Sequence, residues 1–220
     1  MTAVRSGPGV VGAGPADLEV LSDLIAAAFH DLAPSRWLIP DPAARRRVFP
    51  GYFRLIVAQA MAAGMVHTTP SRDGVALWLP AGPGILSPPP GQGQQLALVG
   101  SLTSRFQHFD QALEEHHPIG VHHQYLAILG VRPGCQGQGI GTTLLNTRHR
   151  DLDRDGIPAY LEASSPRARD LYQRHGYTLR PGAPFCLPDG GPPMWPMWRE
   201  PAPALHRRPP LNQDGCERGR

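Results

Sequence analysis

Residues 136 to 142 hold the pattern Gln136-x-x-Gly139-x-Gly141, which stands where an apolar strand gives way to a helix. Glycine has no side chain to block an anion, so the backbone N–H groups of such a turn could wrap around a pyrophosphate. The first N–H groups of a helix have no partner within the helix, and the helix dipole adds partial positive charge there. The pattern therefore predicts a site for a phosphate-bearing ligand.

Glu162 is the one charged residue in an otherwise apolar strand expected at residues 159 to 164. A carboxylate in that position costs free energy unless it is paired or lines a cavity. It could bind a cationic amine, or take the amine's proton directly or through water. The alternative, a structural glutamate satisfied by hydrogen bonds, stays open at this stage.

Four histidines form two adjacent pairs around residues 118 to 121, namely His116, His117, His122 and His123. Close pairs invite a metal site, but no cysteine or carboxylate spacing supports one. Two interpretations remain. The histidines lie at the surface or at a strand edge, or else His122 or His123 serves in acceptor binding or proton transfer.

The basic residues exclude several chemistries. All 21 of them are arginines, and both a Walker-type phosphate loop and a pyridoxal-phosphate Schiff base require lysine. The formal net charge is +3 and the arginines are dispersed apart from those at 45–47, so we expect no nucleic-acid partner. The three cysteines lack C-x-x-C spacing, which indicates neither a zinc site nor a disulfide framework.

The hydrophobic content of 41% and the charged content of 18% are typical of a globular domain. No apolar run reaches the roughly 18 residues of a membrane-spanning helix. The N-terminal residues also lack the charged start and apolar stretch of a signal peptide. We therefore expect a cytoplasmic location and no membrane partner.

The hydrophobic periodicity predicts a domain of alternating helices and strands. Helices are expected at residues 17–30, 41–63, 96–115, 137–155 and 166–175, strands at 65–69, 75–79, 125–131 and 159–164, and a final hairpin at 177–199. The strand–helix–strand succession over 125–164 indicates a right-handed crossover between two parallel strands. We expect a Pro/Gly-rich loop at 80–95 and disordered segments at 1–15 and 200–220.

A second motif follows the glycine turn and reads Ser165-x-x-Ala168-x-x-Leu171-Tyr172. The two motifs together resemble the GNAT superfamily of N-acetyltransferases, whose members move an acetyl group from acetyl-CoA to an amine. The resemblance covers residues 16–199 and implies one α/β domain. Its mixed, mostly antiparallel sheet would have a splayed central pair of parallel strands, flanked by helices.

The likeness is closest to puromycin N-acetyltransferase and similar actinobacterial enzymes, which inactivate amine-bearing antibiotics. It is carried by YLAILGVRP at residues 125–133 and by GIPAYLEASSPR at residues 156–167. This chain departs from the superfamily at Gln138, where a basic residue is frequent, and at Ser165, where asparagine is common.

The resemblance implies roles for the candidate residues. The strand before the glycine turn would pair with the pantetheine arm of the cofactor, beside a local distortion at Gly130. The N–H of Val131 would polarise the thioester carbonyl, and Tyr172 would be the general acid for the leaving thiolate. Glu162 would bind or deprotonate the amine. The implied cofactor contacts are Leu129, Gly130, Val131, Gln136, Gly137, Gln138, Gly139, Ile140, Gly141, Thr142 and Ser165. The candidate acceptor contacts are Trp37, Tyr52, His123 and Tyr125.

The implied function is direct transfer of an acetyl group from acetyl-CoA to a primary amine of a small molecule, without a metal, by a monomer or homodimer. A protein or peptide acceptor is the second interpretation. A non-catalytic acyl-CoA-binding regulatory module is the third. Because aromatic residues at the spacing of Trp37, Tyr52, Phe53 and Trp78 also form ordinary core, the sequence leaves the acceptor open.

Overall fold

The computed structural model describes residues 9–85 and 100–203. The helices are α1 (Leu18–Phe29), α2 (Ala33–Leu38), α3 (Pro42–Ala63), α4 (Thr103–His116), α5 (Ile140–Asp155) and α6 (Pro166–Arg174). The strands are β1 (Val11–Gly12), β2 (Met65–Thr68), β3 (Gly74–Ala81), β4 (His123–Val131), β5 (Ala159–Ala163), β6 (Thr178–Leu179), β7 (Phe185–Cys186) and β8 (Pro193–Arg199). Within these ranges, no helix combines the length and apolar character needed to cross a membrane.

The strands form one mixed sheet in the order β1-β2-β3-β4-β5-β8-β6, and β7 pairs with β8. Strands β4 and β5 run parallel, and the other described pairs are antiparallel. Helix α5 connects the parallel pair, as the strand–helix–strand pattern predicts. The expected fold class, a single α/β domain with a mixed and mostly antiparallel sheet, is confirmed.

Two hydrophobic cores cover the two faces of the sheet. Along β3, Val75, Leu77 and Leu79 pack with residues of α1 and α3. The alternate residues Ala76 and Trp78 pack with α5 and α6 on the opposite face. Since successive side chains of a strand point to opposite faces, β3 is buried on both sides and reads as an apolar run.

Helix α3 begins and ends where the sequence predicts. The carboxylate of Asp41 accepts hydrogen bonds from the backbone N–H groups of Ala43 and Ala44, at 3.3 and 2.8 Å. This caps the first turn, and proline occupies the first helical position. The helix continues through Pro50 and ends at Gly64.

The structure adds elements that the sequence did not predict. Strand β1 pairs with β2 inside the 1–15 segment for which disorder was expected, and the short helix α2 follows α1. The first arm of the final hairpin is divided into β6 and β7, which both pair with β8. Most of the expected loop at 80–95, the start of the helix expected at 96–115 and the tail from residue 204 lie outside the described residues.

We expect Gly64→Ala to destabilise the fold by about 1–3 kcal/mol, the usual cost of overpacking. A Cβ at this position would lie 2.2 Å from the backbone oxygen of Trp78, and that oxygen belongs to the central sheet. Urea unfolding followed by circular dichroism measures the free energy of unfolding. Gly12→Ala is the matched control, because a Cβ there meets no atom within 4 Å. Equal unfolding free energies for the two variants would contradict the prediction.

Candidate active site

Strands β4 and β5 pair only at their beginnings. The register contains two pairs, Gln124 with Ala159 and Tyr125 with Tyr160, although β4 continues to Val131. Beyond these pairs, no strand among residues 9–85 and 100–203 lies beside the backbone edge of β4 that faces β5. The two strands therefore open a slot at their carboxyl ends, as expected for the splayed pair.

A β-bulge at Ala127 sets which backbone groups face this slot. On β3, Leu77 pairs with Ile128 and Trp78 with Leu126, so Ala127 has no partner there. A bulge inserts one extra residue, so after it the backbone N–H groups of odd- and even-numbered residues exchange the sides to which they point. The N–H of Gln124 points towards β5, where it donates to Pro158 at 2.9 Å.

After the bulge the odd-numbered residues face the slot. The N–H of Arg132 donates to Asp73 on the β3 side at 2.8 Å, so the N–H of the preceding Val131 points away from β3, towards the slot. The distortion was expected at Gly130, which instead pairs regularly with Val75. The irregularity instead lies at Ala127, three residues earlier, where the register between β3 and β4 shifts.

The glycine turn leaves donors free at the start of α5. Gly137 and Gly139 have φ angles of 79° and 82°, a left-handed conformation that suits glycine. Gly139 caps the helix without any side-chain hydrogen bond to the first turn. A Cβ at either glycine would meet no atom within 4 Å, so the turn is open to a ligand. Free N–H groups and the helix dipole make this an anion-binding geometry.

One continuous cavity of about 1080 Å³ joins the glycine turn to an apolar chamber between α1, α3 and α4. Among the described residues that line it, the two arginines, Arg167 and Arg174, both lie on α6 near the glycine turn. The acidic residues are Asp110 and Glu114 on α4 and Glu162 on β5. The cavity is therefore basic at the end that suits phosphates and acidic at the other.

Glu162 lies between these two ends with an unusually basic carboxyl group. Its side chain is 3% exposed, and Oε1 has no hydrogen-bond partner among the described residues. Burial raises the pKa of this carboxyl to about 7, while the hydroxyl groups of Tyr160 and Tyr125 act in the opposite direction. The group can therefore exchange a proton near neutral pH.

A pair of histidines, the half-buried His117 and the buried His123, stands next to Glu162. Nδ1 of His123 lies 2.8 Å from the carbonyl oxygen of Val121 and must donate to it. Nε2 of His123 is then the acceptor for the N–H of His117 Nε2, at 3.1 Å. The remaining nitrogen of His117, Nδ1, carries a lone pair and lies 4.0 Å from Oε1 of Glu162.

This chain of contacts holds His117 in its neutral form. Burial first, and then the nearby His123 and Arg180, lower the pKa of His117 to about 4. An unprotonated nitrogen beside Glu162 favours the protonated carboxyl, as burial does. Of the two groups, Glu162 is the one whose pKa matches neutral pH, so it is the better candidate for a general base.

Tyr172 lies on α6 and lines the same cavity. Its side chain is buried, and its ring packs against Tyr177 with the ring centres 5.7 Å apart. Burial raises the pKa of the Tyr172 phenol above its usual value of 10. The phenol is therefore protonated at neutral pH and can act as a proton donor.

The structure brings most of the sequence-predicted residues together. The implied cofactor contacts line the cavity, with the exception of Gln138, whose side chain turns back to the carbonyl of Gly134 at 3.4 Å. Tyr52 and Tyr125 also line it, whereas Trp37 and His123 do not. Trp37 packs against the buried cluster of Ala112, Phe185, Leu187 and Met194, and the ring of His123 contacts that of His117.

Sequence reasoning missed two residues, Asp110 and His117. Asp110 is one of several polar residues in a helix, and only the packing of α4 over the chamber shows its position. The sequence shows His117 within one of two histidine pairs, but its contact with His123 of the other pair depends on the three-dimensional structure.

Comparison with known proteins agrees with this geometry. Residues 103–179, from α4 to β6, match the family described as "Acetyltransferase (GNAT) domain". Mycothiol acetyltransferases of Streptomyces avermitilis and Beutenbergia cavernae are 40% and 41% identical to the chain over 53 and 56 residues. These matches cover 23% of this chain but only 17% and 18% of those proteins, less than a fifth of their length.

Solved structures share the fold over nearly the whole chain. A protein of Corynebacterium glutamicum described as "histone acetyltransferase HPA2 and related acetyltransferase" is 29% identical, with a TM-score of 0.65, over 89% of this chain and 97% of that one. Arylalkylamine N-acetyltransferase 2 of Aedes aegypti shares the fold at 11% identity, with a TM-score of 0.59, over 88% and 99% of the two chains. The segment that matches the family model contains β4, the glycine turn and β5, and over these residues the chain is similar to GNAT acetyltransferase domains.

Proposed function

We propose that the protein is an acetyl-CoA-dependent N-acetyltransferase that acetylates a primary amine of a small molecule by direct transfer. The observation that carries this proposal is the single cavity in which Glu162 and Tyr172 lie between an anion-binding turn and an apolar chamber. Two substrates can bind at opposite ends of such a cavity, so that they meet at these two side chains.

The cofactor end fits acetyl-CoA in three respects. The bare N–H groups at the start of α5 suit its pyrophosphate, and Arg167 and Arg174 add positive charge. The unpaired edge of β4 suits the amide groups of its pantetheine arm, which would pair with it as an added strand. When bound, acetyl-CoA supplies the acetyl thioester.

Different residues of the chain then carry out the separate proton transfers of the reaction. The carboxylate of Glu162 takes a proton from the acceptor's ammonium group, which gives the neutral nucleophile. The N–H of Val131 donates a hydrogen bond to the thioester carbonyl oxygen and stabilises the negative charge that develops there. As the nitrogen bonds to the carbonyl carbon and the C–S bond breaks, the hydroxyl of Tyr172 would protonate the departing sulfur, and the second proton of the nitrogen would return to the Tyr172 oxygen through water.

The acceptor end fits the apolar body of a small molecule better than an extended polypeptide. Its walls include the rings of Phe29 at the end of α1 and of Phe49, Tyr52 and Phe53 on α3. We infer an amine-bearing small molecule, in keeping with the resemblance to puromycin N-acetyltransferase-like enzymes. A screen of amines for thiol release from acetyl-CoA tests the reaction, and no release from any amine would contradict it.

Tyr172→Phe should lower kcat at least about 10²-fold, the usual effect of a lost general acid. The affinity for acetyl-CoA should change little, because the ring remains. Steady-state kinetics and calorimetry measure the two quantities. Tyr177→Phe is the matched control, since its hydroxyl pairs with His149 at 3.1 Å and it does not line the cavity. An unchanged kcat in Tyr172→Phe would remove the residue from the mechanism.

Gly139→Trp should abolish acetyl-CoA binding, because the indole would occupy the place of the pyrophosphate. The control is Gly156→Trp, at the other end of the same helix. Gly156 also has a positive φ angle, 67°, and open space around it, so both variants carry the same backbone strain. Calorimetric binding that persists in Gly139→Trp would place the cofactor elsewhere.

The kcat/KM for an amine should rise with pH through about 7, where burial places the pKa of Glu162. A carboxyl with a raised pKa is protonated, and inactive as a base, below that pH, so activity is lost as the pH falls through it. Glu162→Gln should lack this inflection and keep only the ionisation of the amine itself. An inflection near pH 7 that survives in Glu162→Gln would assign the base to another group.

A further inference from the structure

The acceptor end of the cavity contains a second carboxylate that the proposed reaction does not use. Asp110 lies on α4 and lines the chamber, and Glu114 lines it one helical turn later. This inference rests on the proposed function and concerns the class of amine that the site takes.

Asp110 has no cation to balance it among the described residues. Burial raises the pKa of its carboxyl to about 6, and the one charged neighbour that contributes is Glu114, which raises it further. Like charges at positions i and i+4 of a helix repel each other. The two acids therefore face the same chamber at a cost that a bound cation would offset.

Glu162 independently indicates that a ligand binds in this cavity. Its side chain is 3% exposed, its Oε1 lacks a hydrogen-bond partner within the described part of the chain, and it also lines the cavity. The hydroxyl of Tyr125 is close enough to both Glu162 and Asp110 for each carboxylate to raise its pKa. The two carboxylates therefore both lie towards Tyr125 but belong to different elements, β5 and α4.

The surface around them is apolar. Phe29, Phe53 and Phe109 line the chamber together with aliphatic side chains of α1 and α2. The arginines of the cavity lie on α6, at the cofactor end. An acceptor with a carboxylate of its own would meet negative charge and no described arginine at this end.

We propose that Asp110 is a binding residue for a second positively charged group of the acceptor. The preferred substrate is then a diamine, or an amine with another basic group, whose two nitrogens are joined by an apolar body. One nitrogen lies at Glu162 and is acetylated. The other lies at Asp110, with Glu114 beside it, and keeps its charge.

Matched amines test this assignment. One set consists of para-xylylenediamine, para-methylbenzylamine and para-carboxybenzylamine, which differ only in the group opposite the reacting amine. A second set pairs linear diamines of increasing length with the corresponding alkylamines. The kcat/KM for each is measured by thiol release from acetyl-CoA in the wild type, in Asp110→Asn and in Asp23→Asn. Asp23 is exposed on α1 and lies outside the cavity, so Asp23→Asn is the matched control.

We expect the wild type and Asp23→Asn to prefer the best diamine over its monoamine by about 10- to 100-fold, the range of a charge-assisted hydrogen bond. Asp110→Asn should lose this preference, mainly through a higher KM, while the monoamines change less than about 3-fold. Equal use of diamines and monoamines by the wild type would overturn the proposal. So would a preference that survives in Asp110→Asn.

Failure of the underlying reaction would look different. If acetyl-CoA binds but no amine of either set releases thiol in the wild type, then amine acetylation itself is contradicted, and the assignment of Asp110 falls with it. Circular dichroism of Asp110→Asn shows whether the variant is folded. If the variant is folded and acetylates monoamines normally, its lost preference for diamines is due to the second positive charge of the diamine.

Discussion

The divergence of β4 from β5 is the constraint on which the site depends. Buried backbone N–H and C=O groups need hydrogen-bond partners, yet no described strand lies beside β4 after Tyr125 on that side. A ligand with amide groups of its own satisfies this edge, and the bulge at Ala127 determines that Val131 faces it. The helix that follows begins beside the same opening, so the glycine turn and this edge of β4 line one cavity.

The apolar packing around the slot also sets the protonation states. The burial that excludes water from the chamber brings the pKa of Glu162 to about 7 and that of His117 to about 4. Because the carbonyl of Val121 fixes the tautomer of His123, and His123 fixes that of His117, a neutral nitrogen faces the carboxyl. The proton-exchanging group at neutral pH is therefore a product of the fold rather than of the glutamate alone.

Local signals in the sequence predicted much of this structure. The cap at Asp41 and the stop at Gly64 bound α3 as predicted, and the glycine turn precedes α5. Each of these signals is contained within a few residues, so no partner element is needed to read it. The bulge at Ala127 could not be predicted, because it exists only relative to the register of β3. Strand β1 and helix α2 are too short to show periodicity.

The two ends of the cavity differ in how far their residues are separated along the chain. The cofactor end is built from neighbours in sequence, since the residues proposed to contact the cofactor's pantetheine arm and pyrophosphate lie between Leu129 and Thr142. The walls of the acceptor end come from α1, α2, α3 and α4. These helices pack mainly in the core on one face of the sheet, whereas α5 and α6 pack in the core on the other face. Strands β2, β3 and β4 contribute side chains to both cores. Side chains such as Asp110 can therefore change with the acceptor without disturbing the anion-binding turn, because the contacts that hold the turn lie on the opposite face.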